Sequence, residues 1–460
     1  MRAAVEDLPV ASLKELVQAA RASSKEKGLW ILTDKGTEEP VPMTLTPWVF
    51  SSEAARYLQA FFRGTRRTVN RVLSRYFEDP NLQAILPLRE SEQKWLQASC
   101  SDGIPKLQTV FERFDTNLGG QPESQMEDFK IIEFNAVGVG CVHLIPAATE
   151  LLQEHLLPRL KEPAANVVPA MDYRQLLLGE LQAHARAVER PECRMGFVER
   201  RESVVGGCDE FARIAAYFEA RGLSAVVGDP REVEKRNGSG DLLLKGKPVD
   251  VLYRDFQLEE VVSIKTHGGS VEGVEAAFTG NRVVSTVFGE FDHKSLCELL
   301  SNPEFEKYFS PQEIKSARKR FPWTRLVDER KTADPDGKET DLIAYIRANQ
   351  DRLVLKPNRS YGGEGVVVGH AVTAAAWNEA LNQAVSRPKT WVAQDQVKIA
   401  RAPLTVLTSE GKLESGERYV TLGVTATAKG VAFVGRYSEG PVVNISQGGG
   451  LIPVFLKKRK

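Results

Sequence analysis

The chain has 460 residues, 42% of them hydrophobic and 27% charged, which is typical of a globular protein with two or three packed units. Lys plus Arg and Asp plus Glu each number 61, so there is no overall positive charge with which to attract nucleic acid. The sequence has neither a signal-peptide pattern nor an apolar run long enough to cross a membrane, so we expect a cytoplasmic protein without a membrane span.

The first predicted elements are helical. Residues 1–45 contain a polar helix that we expect to be peripheral, and the stretch EAARYLQAFFRGTRRTVNRVL after it has helical periodicity. The aromatic and leucine positions of that stretch predict a buried helix face.

Two short strands come next and carry polar side chains at close spacing. KIIEFN predicts a buried strand with Glu133 and Asn135 on one face, because side chains alternate along a strand. Arg113 and Asp115 repeat the spacing in ERFDTNL. Asp115, Glu133 and Asn135 could therefore hold Mg²⁺, which prefers oxygen ligands, with Arg113 beside them for phosphate charge. The alternative is a pair of ordinary edge strands with solvated polar ends.

Cysteines do not indicate a disulfide framework or a zinc site. There are five, they are scattered, and none has CxxC spacing, which is typical of a reducing compartment. Cys141 and His143 follow the second strand and allow a nucleophile–base pair, although simple packing is the commoner outcome for such a pair.

The middle of the chain alternates strands and helices. From residue 192 the order strand, helix, strand predicts a parallel sheet without the glycine fingerprint of a dinucleotide site. This unit ends in VDVLYRDF.

Residues 352–369, RLVLKPNRSYGGEGVVVG, predict a strand, a glycine-rich turn and a second strand. Lys356 can place a positive charge on a polyanion, and Gly362, Gly363 and Gly365 let backbone N–H groups approach phosphate oxygens. The alternative is a β-hairpin with a flexible turn and no ligand.

Together these motifs resemble the ATP-grasp superfamily. In that family a lysine and a glycine-rich loop lie over the phosphates of ATP, and Asp with Glu-x-Asn binds magnesium. TWVAQDQV resembles the hinge strand that reads adenine, and GRYSEGPVVNISQGGG resembles the Arg…Asn…Gly-Gly segment of glutathione synthetase-like ligases. VDVLYRDF resembles the end of the domain that precedes the ATP-grasp module.

The resemblance implies roles for individual residues. Arg113 and Arg436 would act in catalysis, and Asn444, Gly449 and Gly450 would lie on the acceptor side. Lys294 could contact phosphate or be an ordinary surface lysine on a helix. The residues implied in ATP binding are Lys294, Lys356, Ser360, Tyr361, Gly362, Gly363, Gly365, Gln394, Asp395 and Val397.

The motif order departs from the usual family pattern, because the metal ligands precede the lysine. That order resembles circularly permuted ATP-grasp proteins, including the synthetase domain of glutathionylspermidine synthases. The Asp-Thr-Pro that follows the metal strand in those enzymes is replaced here by Val137-Gly138-Val139-Gly140, which puts glutathione and spermidine as substrates in doubt.

The resulting expectation is an α+β protein with a permuted ATP-grasp fold and a Rossmann-like subdomain. We expect an N-terminal helix in 1–45, metal strands in 46–165, a pre-ATP-grasp-like domain in 166–290, and the lysine, glycine loop and hinge in 291–460.

The expected function is an ATP- and Mg²⁺-dependent carboxylate–amine ligase that works through an acyl phosphate and releases ADP and phosphate. Its partners would be small carboxylates and amines (amino acid, peptide or polyamine) and no nucleic acid or membrane. An ATP-grasp phosphotransferase and a non-catalytic nucleotide-binding protein remain alternatives.

Overall fold

The computed structural model describes residues 1–32, 37–100, 103–120, 122–162, 164–204, 209–236, 240–445 and 448–458. Helices and strands are mixed along the chain, as expected for an α+β protein. Within these ranges, none of the helices combines the length and apolar character that crossing a bilayer requires.

The helices are α1 (Arg2–Glu6), α2 (Val10–Glu26), α3 (Ser52–Leu73), α4 (Pro80–Ile85), α5 (Glu90–Ser99), α6 (Pro122–Gln125), α7 (Leu144–Leu151), α8 (Tyr173–Ala187), α9 (Arg201–Val204), α10 (Glu210–Glu219), α11 (Leu258–Thr266), α12 (Glu272–Thr279), α13 (Leu296–Ser301), α14 (Pro311–Arg320), α15 (Leu342–Ala348) and α16 (Ala374–Ser386).

The strands are β1 (Trp30–Leu32), β2 (Glu38–Pro40), β3 (Met43–Thr44), β4 (Trp48–Phe50), β5 (Arg113–Thr116), β6 (Ile131–Asn135), β7 (Val167–Pro169), β8 (Met195–Glu199), β9 (Ala225–Gly228), β10 (Val233–Lys235), β11 (Leu242–Leu244), β12 (Lys247–Val249), β13 (Val251–Asp255), β14 (Val283–Val284), β15 (Thr324–Leu326), β16 (Lys331–Ala333), β17 (Glu339–Asp341), β18 (Leu353–Pro357), β19 (Val367–Val368), β20 (Trp391–Asp395), β21 (Ala400–Leu407), β22 (Leu413–Ala426), β23 (Val431–Ser438), β24 (Gly450–Ile452) and β25 (Val454–Lys457).

The largest sheet joins segments that are far apart in the chain. Its strand order is β21-β3-β24-β23-β22-β5-β6, so the early strands β5 and β6 extend an edge made by the late strand β22. Helix α3 packs on this sheet through its predicted apolar face, where the rings of Phe62 and Phe114 lie 4.7 Å apart. The hydroxyl of Ser51 accepts a hydrogen bond from Ala54 N and caps the start of the helix.

Residues 1–45 contribute more than a helix. Helix α2 buries Leu16 and Ala20, and strand β3 lies between β21 and β24 in the largest sheet.

The middle of the chain forms a four-stranded parallel sheet of order β14-β13-β8-β9, as the alternating pattern predicts. Strands β8 and β13 pair with Glu199 opposite Asp255, so these two carboxylates end adjacent strands at the same edge. On the other face of β13, the buried side chain of Arg254 pairs with buried Glu290 and anchors the strand end.

A third sheet, of order β15-β20-β18-β19, carries Lys356. Strands β18 and β19 pair antiparallel on either side of the glycine-rich turn, with Val354 opposite Val368. Its core is a separate cluster in which Trp377 of α16 packs with Leu353 and Leu355 of β18.

Candidate functional site

A cavity of about 570 Å³ lies where the largest sheet, the Lys356 sheet and the edge of the parallel sheet meet. Most of the predicted site residues line it, although they come from two distant parts of the chain. Those in its wall are Arg113, Asp115, Glu133, Asn135, Lys294, Lys356, Ser360, Tyr361, Gly362, Gly363, Gln394, Asp395, Val397, Arg436 and Asn444. Gly365, Gly449 and Gly450 lie outside its wall.

Strands β5 and β6 place the three predicted metal ligands on one face. Asp115 pairs opposite Glu133, and Arg113 pairs opposite Asn135. Directly opposite residues of an antiparallel pair project to the same side of the sheet. Asn135 Nδ2 donates a hydrogen bond of 3.1 Å to Asp115 Oδ2.

Asp115 lies between two arginines. Arg113 Nε donates to Asp115 Oδ1 over 2.9 Å, and Arg436 Nη2 lies 2.8 Å from Oδ2. Burial raises the pKa of Asp115, but the charges of Arg113 and then Arg436 outweigh burial and hold that pKa well below its usual range. Asp115 is therefore an ionised carboxylate at neutral pH.

This donor set suits magnesium chemically. Asp115 supplies an ionised carboxylate and half-buried Glu133 supplies a second carboxyl group. Asn135 directs its amide nitrogen at Asp115, which leaves its amide oxygen available as a ligand. Asp115 Oδ1 keeps acceptor capacity beyond its bond from Arg113, because it carries two lone pairs. These are the hard oxygen ligands that Mg²⁺ prefers.

Gly423 makes the Arg113–Asp115 contact possible. It lies on β22 directly opposite Asp115. A Cβ at this position would lie 2.5 Å from Arg113 Cδ and 3.0 Å from Asp115 Oδ1. The sequence analysis missed this residue, since its neighbours are known only once the register of β22 on β5 is known.

Lys356 is a buried cation held by one side-chain partner. Its side chain is 8% exposed, and its Nζ donates to Gln394 Oε1 over 2.7 Å. Gln394 Nε2 in turn donates to Thr324 Oγ1 over 3.0 Å, which fixes the orientation of the amide. Burial lowers the pKa of Lys356, Glu133 opposes that effect and Lys294 adds to it. An anion beside Lys356 would favour its charged form.

Lys294 connects the glycine-rich loop to the metal strand. It precedes α13, donates to the Ser360 carbonyl oxygen, and lies with Nζ 3.9 Å from Glu133 Oε2. At 8% exposure it is not the ordinary surface lysine of the alternative interpretation.

The glycine-rich loop is tied to the cavity wall on two sides. Gly362 and Gly363 have φ angles of 72° and 74°, in the left-handed region that favours glycine. Asn444 Nδ2 donates to the Gly362 carbonyl oxygen over 2.7 Å, and the Tyr361 hydroxyl donates to Asp292 Oδ1 over 3.1 Å. The loop therefore forms part of the cavity wall in this structure.

The predicted hinge forms one side of an apolar slot. Gln394 and Asp395 end β20, and Val397 follows in the connection to β21. Asp395 is paired with Arg352, whose Nη2 lies 3.1 Å from Oδ2. The apolar side chains that line the slot are Ile132, Val354, Val366, Val368, Val397 and Ile399.

The Gly449–Gly450 pair has a packing role. Gly450 pairs opposite Tyr437, and a Cβ there would lie 2.4 Å from the Tyr437 hydroxyl oxygen. Gly449 N donates to the Asn444 carbonyl oxygen over 3.0 Å. The acceptor role of the two glycines stays a prediction.

Six further polar residues line the cavity and were not singled out by the sequence analysis: Asp255, Gln257, Glu260, Glu364, Gln396 and Thr421. Asp255 ends the VDVLYRD strand, where an acid at the carboxyl end of a parallel strand was the available signal. Glu260 accepts from Gln257 N over 2.8 Å and so caps α11.

Cys141 and His143 pack instead of forming a nucleophile–base pair. Burial raises the pKa of the Cys141 thiol to about 12, which makes it a poor nucleophile. Burial lowers the pKa of His143 to about 4, and its Nε2 bonds to the Lys27 carbonyl oxygen over 2.9 Å.

No protein-family model matches the chain. An uncharacterized protein of Mycobacterium tuberculosis is 27% identical over 260 residues, 51% of this chain and 43% of that protein. A Frankia alni protein that carries the provisional name glutamate–cysteine ligase 2-3 is 28% identical over 263 residues, 53% of this chain and 28% of that protein. The chain thus aligns with less than half the length of these curated relatives.

A solved structure matches nearly the whole chain. The glutathione synthetase-like effector of Globodera pallida has a TM-score of 0.63 and 12% identity, covering 98% of both chains. The α+β class is confirmed, and the chain shares its overall fold with this glutathione synthetase-like protein.

Proposed function

We propose that the chain is an ATP-dependent carboxylate–amine ligase that forms an amide or peptide bond through an acyl phosphate. One observation carries most of the weight: the acidic pair Asp115 and Glu133 and the cationic segment around Lys356 line one cavity. The fold likeness to a glutathione synthetase-like protein and the Frankia relative's name add support.

In this proposal ATP lies along the cavity. The adenine occupies the apolar slot beside Gln394, Asp395 and Val397. Lys356, Lys294 and the N–H groups of the glycine-rich loop neutralise the phosphates. Asp115, Glu133 and Asn135 would hold magnesium, which would screen further phosphate charge.

The proposed arrangement is circularly permuted. The strands that carry the metal ligands precede the lysine in the chain and join β22 in space. In this proposal the N-terminal segment spans residues 1–45, and the metal-strand part spans 46–165. The Rossmann-like unit spans 166–290, and the nucleotide-binding part spans 291–460.

The chemistry is a two-step transfer. An oxygen of the substrate carboxylate attacks the γ-phosphorus, and ADP leaves. An amine then attacks the acyl carbon, and phosphate leaves with the electron pair of the broken C–O bond. In this proposal Arg113 or Arg436 stabilises the oxyanion, and the glycine-rich loop closes to exclude water that would hydrolyse the acyl phosphate.

The substrates would be small molecules. The Frankia relative's name suggests glutamate as the carboxylate and cysteine as the amine, and the effector's name suggests peptides of the glutathione type. The screen represents that type by γ-glutamylcysteine and glutathione as carboxylates and by glycine as an amine. Putrescine represents the polyamines. The replaced Asp-Thr-Pro segment makes glutathione and spermidine the weakest candidates.

An ADP-release screen of these carboxylates and amines in pairs, with MgATP, tests the proposal. A ligase should release ADP in a pair-dependent manner and form a hydroxamate when hydroxylamine replaces the amine. A phosphotransferase would release ADP without any hydroxamate. ADP release from no pair would favour the nucleotide-binding alternative and contradict the proposal.

A further inference from the structure

A second group of charged residues, centred on Asp255, lies in the wall of the same cavity. Asp255 ends β13 and lines the cavity, and it has no hydrogen bond or ion pair to another residue within the described ranges. Its neighbours in the parallel sheet and the packed helices are mostly acidic. Those that face it are Glu199 on β8, Glu210 on α10 and Glu260 on α11, with Arg254 as the adjacent cation.

Two of these acids are already satisfied. Glu210 accepts from the backbone nitrogens of Cys141 and His143, and Glu260 pairs with Arg200, whose Nη1 lies 3.0 Å from Oε1. Within this acidic group, Asp255 is therefore the cavity-lining carboxylate without a partner among the described residues. Burial and then Glu260 and Glu210 raise the pKa of Asp255 to about 6, which a bound cation would reverse.

Two unpartnered polar groups accompany Asp255. Tyr253 is 1% exposed and its hydroxyl has no hydrogen-bond partner among the described residues. It shares the face of β13 with Asp255. Burial, and then the neighbouring Tyr173, Asp255 and Glu210, raise the pKa of its hydroxyl. Gln257 lines the cavity, and its Oε1 is likewise buried without a described partner.

The loop after the metal strand connects this region to the reaction centre. Gly138 has a φ of 62°, and a Cβ there would lie 1.9 Å from Asp255 Oδ1. The Asp255 carboxylate therefore lies against the backbone of the loop that follows Asn135. Arg113, whose Nη1 donates to the Gly140 carbonyl oxygen over 2.9 Å, holds the other end of the loop.

We infer that Asp255 binds the ammonium group of a cationic acceptor amine and takes its proton before the amine attacks. This inference rests on the proposed ligase function and specifies its acceptor side. The ammonium R–NH₃⁺ transfers a proton to the Asp255 carboxylate and becomes R–NH₂. Its lone pair forms the C–N bond, the C–O bond to phosphate breaks, and the second nitrogen proton leaves with phosphate. Asp255 then returns its proton to solvent.

Methylamine and hydroxylamine form a matched pair of probes for this role. They have the same number of heavy atoms, but methylamine is a cation at pH 7.5, whereas hydroxylamine is a weaker base and largely uncharged. The assay uses the full chain, MgATP and each carboxylate of the screen, and measures N-methylamide and hydroxamate separately. If the proposed function itself is wrong, the wild type forms no hydroxamate with any carboxylate.

Asp255→Asn is expected to lower N-methylamide formation at least 30-fold while hydroxamate formation stays within threefold of the wild type. Asp255→Ser is a second uncharged variant for which the same split is expected, and Asp255→Glu should restore N-methylamide formation to within tenfold. Glu219→Gln, an exposed change at the end of α10, should alter neither product. Equal loss of both products, an unchanged N-methylamide rate, or a wild type that forms hydroxamate but no N-methylamide would overturn the inference.

Discussion

Arg436 and Asp115 are in contact, with 2.8 Å between Nη2 and Oδ2, although their strands come from opposite ends of the chain. Strand β22 lies between β23 and β5, so this contact spans one intervening strand. The contact fixes the early acidic strands and the late part of the chain as one site.

Glu133→Gln is expected to lower ADP formation by at least about 100-fold, the usual cost of removing one electrostatic contributor to a transition state. Glu133 is half-buried and its nearest cation, Lys294 Nζ, lies 3.9 Å away, so the fold should survive the change. The matched control is Glu127→Gln, whose side chain is 87% exposed. Substantial turnover by Glu133→Gln would refute the metal assignment.

Asp115→Asn should abolish ADP formation and also lower stability. The change leaves Arg113 and Arg436 buried with one fewer counter-charge, which typically costs about 3–5 kcal/mol for a buried pair. Chemical denaturation measures the loss, and circular dichroism shows whether the fold is retained. An unchanged unfolding midpoint would contradict the described ion pairs.

Lys356→Met is expected to weaken ATP binding about 10- to 100-fold, which corresponds to the loss of a hydrogen bond from a charged group. Isothermal titration calorimetry with MgATP provides the measurement. Lys398→Met, at an exposed position near the same cavity, is the matched control. Equal ATP affinity of the Lys356 variant and the wild type would contradict the proposed contact between Lys356 and ATP.

Gly423→Ala and Gly64→Ala make the same chemical change with opposite expected results. At Gly423 the new methyl group collides with Arg113 and Asp115, so stability should fall by about 1–3 kcal/mol and ADP formation should fall with it. At Gly64, inside α3, nothing lies within 4 Å of the new Cβ, so stability should rise by about 0.5–1 kcal/mol. Thermal unfolding of both variants at one pH measures these opposite changes in stability. A Gly423 variant as stable as the wild type would contradict the described packing.

Glu199 should make the fold less stable as pH rises from 5 to 8. Burial and then Asp255, Asp209 and Glu210 raise its pKa to about 8, so the folded chain keeps a proton that the unfolded chain loses near its usual value. Folding stability from this group is thus present at pH 5 and lost as pH rises through 8. In Glu199→Gln the fall in melting temperature over this window should be smaller, whereas exposed Glu219→Gln should behave as the wild type. Identical pH profiles of the melting temperature for the wild type, Glu199→Gln and Glu219→Gln would contradict the raised pKa of Glu199 in the acidic cluster.

Local patterns predicted the parts of the site that lie within single strands. The alternation that put Glu133 and Asn135 on one face holds in β6, and the strand–turn–strand around Lys356 is β18, the glycine-rich loop and β19. Such patterns depend only on the period of a strand.

Long-range register was not predictable from one sequence. The position of Gly423 opposite Asp115 and the insertion of β3 into the largest sheet depend on pairings between distant segments. The sequence shows that Asp255 ends a strand. Recognising that its carboxylate lacks a partner required knowing where α10 and α11 lie. The Gly449–Gly450 pair was interpreted from a motif, whereas the structure shows that Gly450 leaves room for Tyr437.

The central claim is that one triphosphate joins the early acidic strands to the late cationic loop. A crystal structure of the full chain with Mg²⁺ and a non-hydrolysable ATP analogue tests it most directly. We predict phosphate oxygens within hydrogen-bond distance of Lys356 Nζ and a magnesium ion that contacts both those phosphates and Glu133. An analogue bound outside this cavity, or one that reaches Lys356 with its metal held away from Asp115, Glu133 and Asn135, would contradict the account.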